Sequence, residues 1–358
     1  MRAWSWILLI LMTLLIKFAS TQPLWVEENY SKGIYPVISK IQRSIFGWMP
    51  FSVGDLFYAF LIIIILVKTW QFFKIIFRKQ FTRQYLLTGL KQVIFFFLFI
   101  YVLFYGMWGL NYSRMGIANQ LGLEVKAYTK EELDTLITTL QTRLNFCARS
   151  SDTLTRDSSH KMQIIFKKGE EAYLAAAPRY PFFNYSPRSI KPSIYSFIGH
   201  IVGFTGYYNP FSGEAQINTS VPKFLHPFIV THEIGHQLGY AKENEANFAG
   251  FLASRASNDN DLRYSMYFDM YFYAVREMLR FDIEKTISYR NTLDTLAKKD
   301  YRDWINYLRR KKNFVEPLMS KFYDSYLKAN NQPLGKETYN HVVAWLIAYY
   351  KKYGLESI

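Results

Sequence analysis

At 358 residues, 50% hydrophobic and 18% aromatic, the chain is too apolar for a disordered or fibrous protein, and it is long enough for a membrane part plus one soluble domain. Its formal net charge of +15 admits nucleic acid, anionic lipid or the flanks of membrane spans. The excess sits between Lys68 and Lys91 and around Arg309, Arg310, Lys311 and Lys312, with no nucleic-acid recognition fold beside either run, and the single cysteine, Cys147, excludes an intrachain disulfide and leaves any metal to histidines and carboxylates.

Three apolar stretches open the chain, at about 4–19, 51–67 and 93–110. The later two approach the roughly 20 residues that a spanning helix needs. Runs such as Ile62-Ile63-Ile64-Ile65-Leu66 and Phe95-Phe96-Phe97-Leu98-Phe99 are apolar on every face, as a helix in lipid is. The first stretch is short enough for a signal-peptide core, but Phe18 spoils the small-x-small pattern of Lys17-Phe18-Ala19-Ser20, so an uncleaved anchor is expected. Between the second and third stretches lie Lys68, Lys74, Arg78, Lys79, Arg83 and Lys91 without an acidic residue, which predicts a cytoplasmic loop. The membrane region then ends near residue 112, and residues 113–358 form an extracytoplasmic domain.

That domain reads as α+β and mainly helical, with helical periodicity in 131–145 and later segments. Residues 191–198 and 206–218 are the exception, and their Gly, Pro and Asn punctuation predicts short strands and a small sheet. Next comes Thr231-His232-Glu233-Ile234-Gly235-His236, an HExxH pattern in a helix expected to begin near Pro227, a residue suited to a first turn. Residues four apart share a helix face, so His232 and His236 can meet one zinc ion. Glu233 is then placed to act as general base toward water in peptide-bond hydrolysis. Gly239 suits a left-handed helix cap that turns the chain back toward the metal. Glu243 and Glu245 follow at the start of a second helix. Glu243 shares a face with the small residues Ala246 and Gly250, which favours it as third ligand, with Asn247 as its hydrogen-bonding neighbour and Glu245 as the alternative.

The pair of motifs His232-Glu233-x-x-His236 and Glu243-x-Glu245-Ala246-Asn247 resembles the gluzincin metallopeptidases, whose third zinc ligand is a glutamate in an E-x-x-A-[DN] setting. The chain is similar, over nearly its whole length, to the bacterial membrane family called domain of unknown function 3810, through residues 30–36, Pro50-Phe51-Ser52-Val53-Gly54-Asp55, 206–218 and the site itself. The resemblance implies a zincin-like fold and a peptidase activity, and it names no substrate. The interval from His236 to Glu243 is shorter than in typical gluzincins, so both glutamates stay candidates.

The segment with Gly213, Glu214 and Ala215 lies just before the active-site helix, where an edge strand can pair with an extended substrate. His200, His226 and His341 are more simply packed or surface histidines, and Tyr339 with His341 is the candidate pair for stabilising an oxyanion. The expected protein is therefore a multi-pass metallopeptidase of a bacterial inner membrane with its C-terminal domain in the periplasm, meeting lipid and envelope peptides and no nucleic acid. The competing expectation is an envelope binding or assembly module with a structural or inactive zinc site.

Overall fold

The apolar composition of the N-terminal third dictates three helices with no preferred face. The computed structural model, which describes residues 3–151, 161–310, 316–333 and 341–358, contains them as α1 (Ala3–Ser20), α3 (Val53–Phe77) and α4 (Arg83–Met107). Between α1 and α3 run a π-helical stretch, Val26–Ile34, and α2 (Tyr35–Phe46). All three apolar helices are long and apolar enough to cross a membrane, and the most apolar windows of α3 and α4 have no residue buried inside the protein. α3 and α4 are longer than the expected 51–67 and 93–110, because the helices continue through Lys74 on one side and start at Arg83 on the other. Most of the cationic stretch is therefore helix, broken only at residues 78–82, and long lysine stems let charged heads reach water from an apolar helix.

The rest of the chain is mostly helical, with one three-stranded mixed sheet. After α5 (Lys130–Arg149) and α6 (Met162–Ala176) come β1 (Ile190–Pro192), α7 (Ser196–Val202), β2 (Gly206–Asn209) and β3 (Glu214–Ile217). The expected hairpin over 206–218 is β2 and β3, antiparallel with Tyr208 opposite Ala215. Strand character over 191–198 is confined to its start, since α7 begins at Ser196. β1 pairs parallel to β3, so β3 is central.

Two helices follow in a tight crossing, α8 (His226–Gln237) and α9 (Glu243–Ala256). Then come α10 (Asn260–Met278), α11 (Ile283–Asn291), α12 (Thr295–Arg310), α13 (Glu316–Ala329) and α14 (His341–Tyr353). α8 is buried along nearly its whole length, between the sheet and helices α6, α9 and α10. Phe248 and Phe251 of α9 are wholly buried against Tyr349 of α14, and each such burial contributes about 1.5–3 kcal/mol. Hydroxyls pin the crossing as well. Tyr173 of α6 donates to the Thr231 carbonyl at 2.7 Å, and the Thr231 and Ser254 hydroxyls meet at 3.1 Å.

Candidate metal centre

Pro227 stands in the first turn of α8, as its fixed φ favours, and the helix carries His232, Glu233 and His236 into the core. It stops at Gly239, whose φ of +87° is the left-handed conformation glycine adopts without a steric penalty. That turn does two things. It sends the chain back as α9, and it aims the Tyr240 carbonyl at Nδ1 of His236, 2.8 Å away. α9 crosses α8 almost backbone to backbone, since a Cβ added to Gly250 would lie 3.1 Å from the His232 amide nitrogen.

The crossing brings three donors together. Nε2 of His232 lies 3.3 Å and Nε2 of His236 3.6 Å from Oε2 of Glu243, and all three ligand atoms fall within 4.8 Å of one another. Zinc–nitrogen bonds of about 2.0–2.1 Å in a tetrahedron place ligand atoms roughly 3.3 Å apart, close to the two histidine–glutamate separations, so the three groups could hold a metal ion. Asn247 Oδ1 meets Nδ1 of His232 at 2.7 Å. With acceptors facing both Nδ1 atoms, a neutral imidazole keeps its proton there and turns its Nε2 lone pair inward. Oε2 of Glu243 faces the two Nε2 atoms.

Glu245 goes elsewhere. Its carboxylate lies 3.6 Å from Lys242 Nζ and abuts the backbone at Gly116, where an added Cβ would sit 2.0 Å from Oε1. The geometry therefore selects Glu243 as the glutamate facing the histidines. Among the described residues this is the one group of three or more metal-binding side chains. His226 opens α8 outside the cluster and His341 is exposed at the start of α14, while the side chain of His200 and all of Tyr339 lie outside the described residues.

Electrostatics mark the same place. Burial lowers the proton affinity of His232, but the Glu243 hydrogen bond and the charges of Glu233 and Glu243 outweigh it and raise the pKa to about 9. Burial likewise pushes Glu243 up, and the two imidazoles overturn this and hold it well below the usual carboxylate range. Glu233 is raised to about 7, chiefly by burial, and its Oε2 is buried without a partner. The backbone of β2 runs directly beside it, for a Cβ on Gly206 would lie 2.5 Å from Glu233 Oε1.

The substrate-binding expectation for Gly213, Glu214 and Ala215 is corrected by the sheet. β3 is flanked on both sides by paired strands and has no edge to offer, whereas β2 pairs on one side only. Glu214 instead accepts from the amides of Val53 at 3.2 Å and Gly54 at 2.6 Å and from the Ser212 hydroxyl at 2.8 Å. It caps the N-terminus of α3, where exposed amides and the helix dipole favour an anion.

Three residues at the site carried no pattern in the sequence. Tyr323 of α13 donates to Glu243 Oε1 at 2.5 Å. Asp269 of α10, raised to about 7 by burial against an opposing effect of His232, lies near that ligand, and Tyr273 stands one turn further. Their i, i+4 spacing on a helix facing α9 is the only signal the sequence held. The turn after α8 is braced from the end of α4: Trp108, just past that helix, donates from Nε1 to the His236 carbonyl at 3.0 Å, and Arg114 donates to the Gly239 carbonyl at 3.1 Å. Arg114 also forms a buried bidentate pair with Glu27 at 2.9 Å.

A family model described as "Protein of unknown function (DUF3810)" matches residues 30–347. No curated protein and no solved structure matches the chain.

Proposed function

The chain belongs to the DUF3810 family, and from that footing we propose that it is a membrane-anchored zinc metallopeptidase with a zincin-like catalytic domain. The observation that carries the reading is the convergence of His232, His236 and Glu243 beside a buried Glu233 whose Oε2 has no partner. Zinc held there would polarise the scissile carbonyl and acidify a water toward neutrality. Glu233 takes the proton of the attacking water and returns it to the departing amine. Asn247 and the Tyr240 carbonyl hold the two imidazoles in the ligating tautomer, and Tyr323 fixes the Glu243 carboxylate. The outer edge of β2, with Gly206 against Glu233, is where an extended peptide would add as a further strand.

α1, α3 and α4 serve as the membrane spans of this reading, and Arg78 and Lys79 between α3 and α4, with Lys74 and Arg83 in the adjoining turns, favour the cytoplasm, so on this reading the site faces the periplasm of a bacterial envelope. The alternative of a structural zinc site in a binding module is disfavoured by two features. Structural zinc sites are closed by four protein ligands, while the cluster here offers three among the described residues, and a structural site needs no carboxylate at Glu233.

Glu233→Gln tests the reading. The variant should retain one zinc per chain, measured on purified protein, and lose at least the 10²- to 10⁴-fold that general acid–base catalysis supplies. The readout is the envelope-peptide profile of cells carrying either form. Identical profiles with full function of the variant in cells would overturn the peptidase reading.

A further inference from the structure

The site has no linker to the membrane helices. On one side the N-terminus of α3 is built into the sheet: Glu214 caps it, and Asp55, in its first turn, accepts from the Ile194 amide at 2.7 Å and from the Tyr207 hydroxyl of β2. Phe57 of α3 packs on Phe211 of the β2–β3 turn, and the Tyr195 hydroxyl donates to the Asp55 carbonyl. On the other side α4 runs into Trp108 and so to the His236 carbonyl, while Tyr105 near its end donates to Asn330 at the foot of α13 at 2.8 Å. α4 therefore ends within one side chain of α8, which carries Glu233 and His236, and α3 within one side chain of the sheet that lies beside it.

An apolar rim continues the surface of α3 around the site. Trp48 and Phe51 precede the helix, Ile194 and Phe197 stand at the β1–α7 corner that Asp55 ties to it, and Leu318 and Phe322 lie on α13, which packs against α7. Phe197 and Phe322, on two helices in contact, are each 70% exposed and Trp48, just before α3, 75%, and large apolar side chains exposed this far on adjoining elements call for a covering phase. Tryptophan at the end of a span is the side chain of the lipid–water boundary. The patch is continuous with a helix long and apolar enough to cross a bilayer, so lipid is the phase that covers it.

We propose that the β1–α7 corner and α13 seat in the lipid–water boundary beside α3, so that the site acts on polypeptides tethered to the membrane, cutting close to the anchor. This rests on the metallopeptidase and membrane-span readings above. A site held at the surface meets the chain nearest the anchor most often, since the distance of a flexible segment from its anchor grows as ~5–6 Å × √n.

The test uses the full chain in phosphatidylcholine–phosphatidylglycerol vesicles. In a Cys147→Ser background, single cysteines replace Phe197 and Phe322, with Lys126 and Lys299 as references, and each carries a nitroxide whose collisions with oxygen and with a water-soluble nickel chelate are compared. Labels at 197 and 322 should collide with oxygen and be shielded from nickel, the reverse of those at 126 and 299. Labels at 197 and 322 behaving like the references, or shielded from both reagents as under a protein partner, would overturn the proposal. The same vesicles then receive a single-pass polypeptide with a degenerate unstructured tail of ~60 residues, and cuts are mapped by mass spectrometry against Glu233→Gln protein. Cuts should be most frequent within about 15 residues of the anchor, where a flexible chain lies roughly 20 Å away. Cuts spread evenly along the tail would end the substrate class and leave the peptidase standing. No cuts above the Glu233→Gln background would end both, with the label pattern still deciding whether the rim sits in lipid.

Discussion

Glu214 and Glu233 are both glutamates buried beside the sheet, and they live under opposite rules. Glu214, in the seam between α3 and β3, has both oxygens occupied by amides and a hydroxyl. Glu233, at the crossing of α8 and α9, keeps Oε2 buried and unpartnered. An unsatisfied buried carboxylate costs stability and, beside other converging polar groups, marks a candidate for chemistry, whereas a satisfied one holds parts together. The seam is a joint and the crossing is the candidate site. What distinguishes them is whether the polar groups have been answered, since burial is the same at both.

Removing a ligand should give the largest effect. Glu243→Ala should weaken zinc binding beyond the roughly 10- to 100-fold that outer hydrogen-bond partners contribute, Asn247→Ala should fall inside that range, and Glu245→Ala should leave affinity unchanged. Zinc titration against a competing chelator ranks them. Glu245→Ala as the most damaging would dissolve the contrast drawn for this region.

Glu214→Ala should show the inverse profile. It strands the Val53 and Gly54 amides at about 1–3 kcal/mol apiece, so the midpoint of thermal unfolding should drop by several degrees while the folded protein keeps its zinc. Lost zinc at unchanged stability would make Glu214 part of the site after all.

The smallest effect concerns acid. Burial alone would raise Glu27, but its hydrogen bonds and ion pair with Arg114 outweigh that and hold it below its ordinary value. Its folded pKa is thus below its unfolded one, so the contribution is complete above the unfolded value near 4.5 and is lost as pH falls through the folded value. Glu27→Gln should lower stability at neutral pH and flatten the acid limb of a plot of unfolding temperature against pH. An acid limb as steep as that of the parent protein would remove Glu27 from the joint's account.

What the sequence disclosed follows the same division. His232, Glu233 and His236 were legible because they sit within one helical turn or so, where spacing alone fixes a shared face. Gly239 was legible as a cap, and the small neighbours of Glu243 on its helix face pointed to it over Glu245. The long apolar helices were legible by apolar length, though not their ends, because Lys68 and Lys74 look like loop and are helix. The seam was hidden: Gly54 and Glu214 are 160 residues apart, and no periodicity links a helix start to a strand at that distance. The hairpin could be read from its turn residues, but the parallel docking of β1 could not, and that pairing is what moved β3 from edge to centre. Tyr323 and Asp269 were invisible for the same reason, each arriving from a helix much later in the chain.

The near contact of backbones where Gly250 passes His232 also works as a gauge. With no side chain between the two helices, their separation is set by main-chain radii, the least adjustable dimension available, and the gap left for an ion inherits that tolerance. Calcium wants six to eight oxygens at about 2.3–2.6 Å and a compliant cage. Two imidazoles and one carboxylate offer too few oxygens for that cage, so on the zinc reading proposed above the close crossing that glycine permits favours the smaller ion.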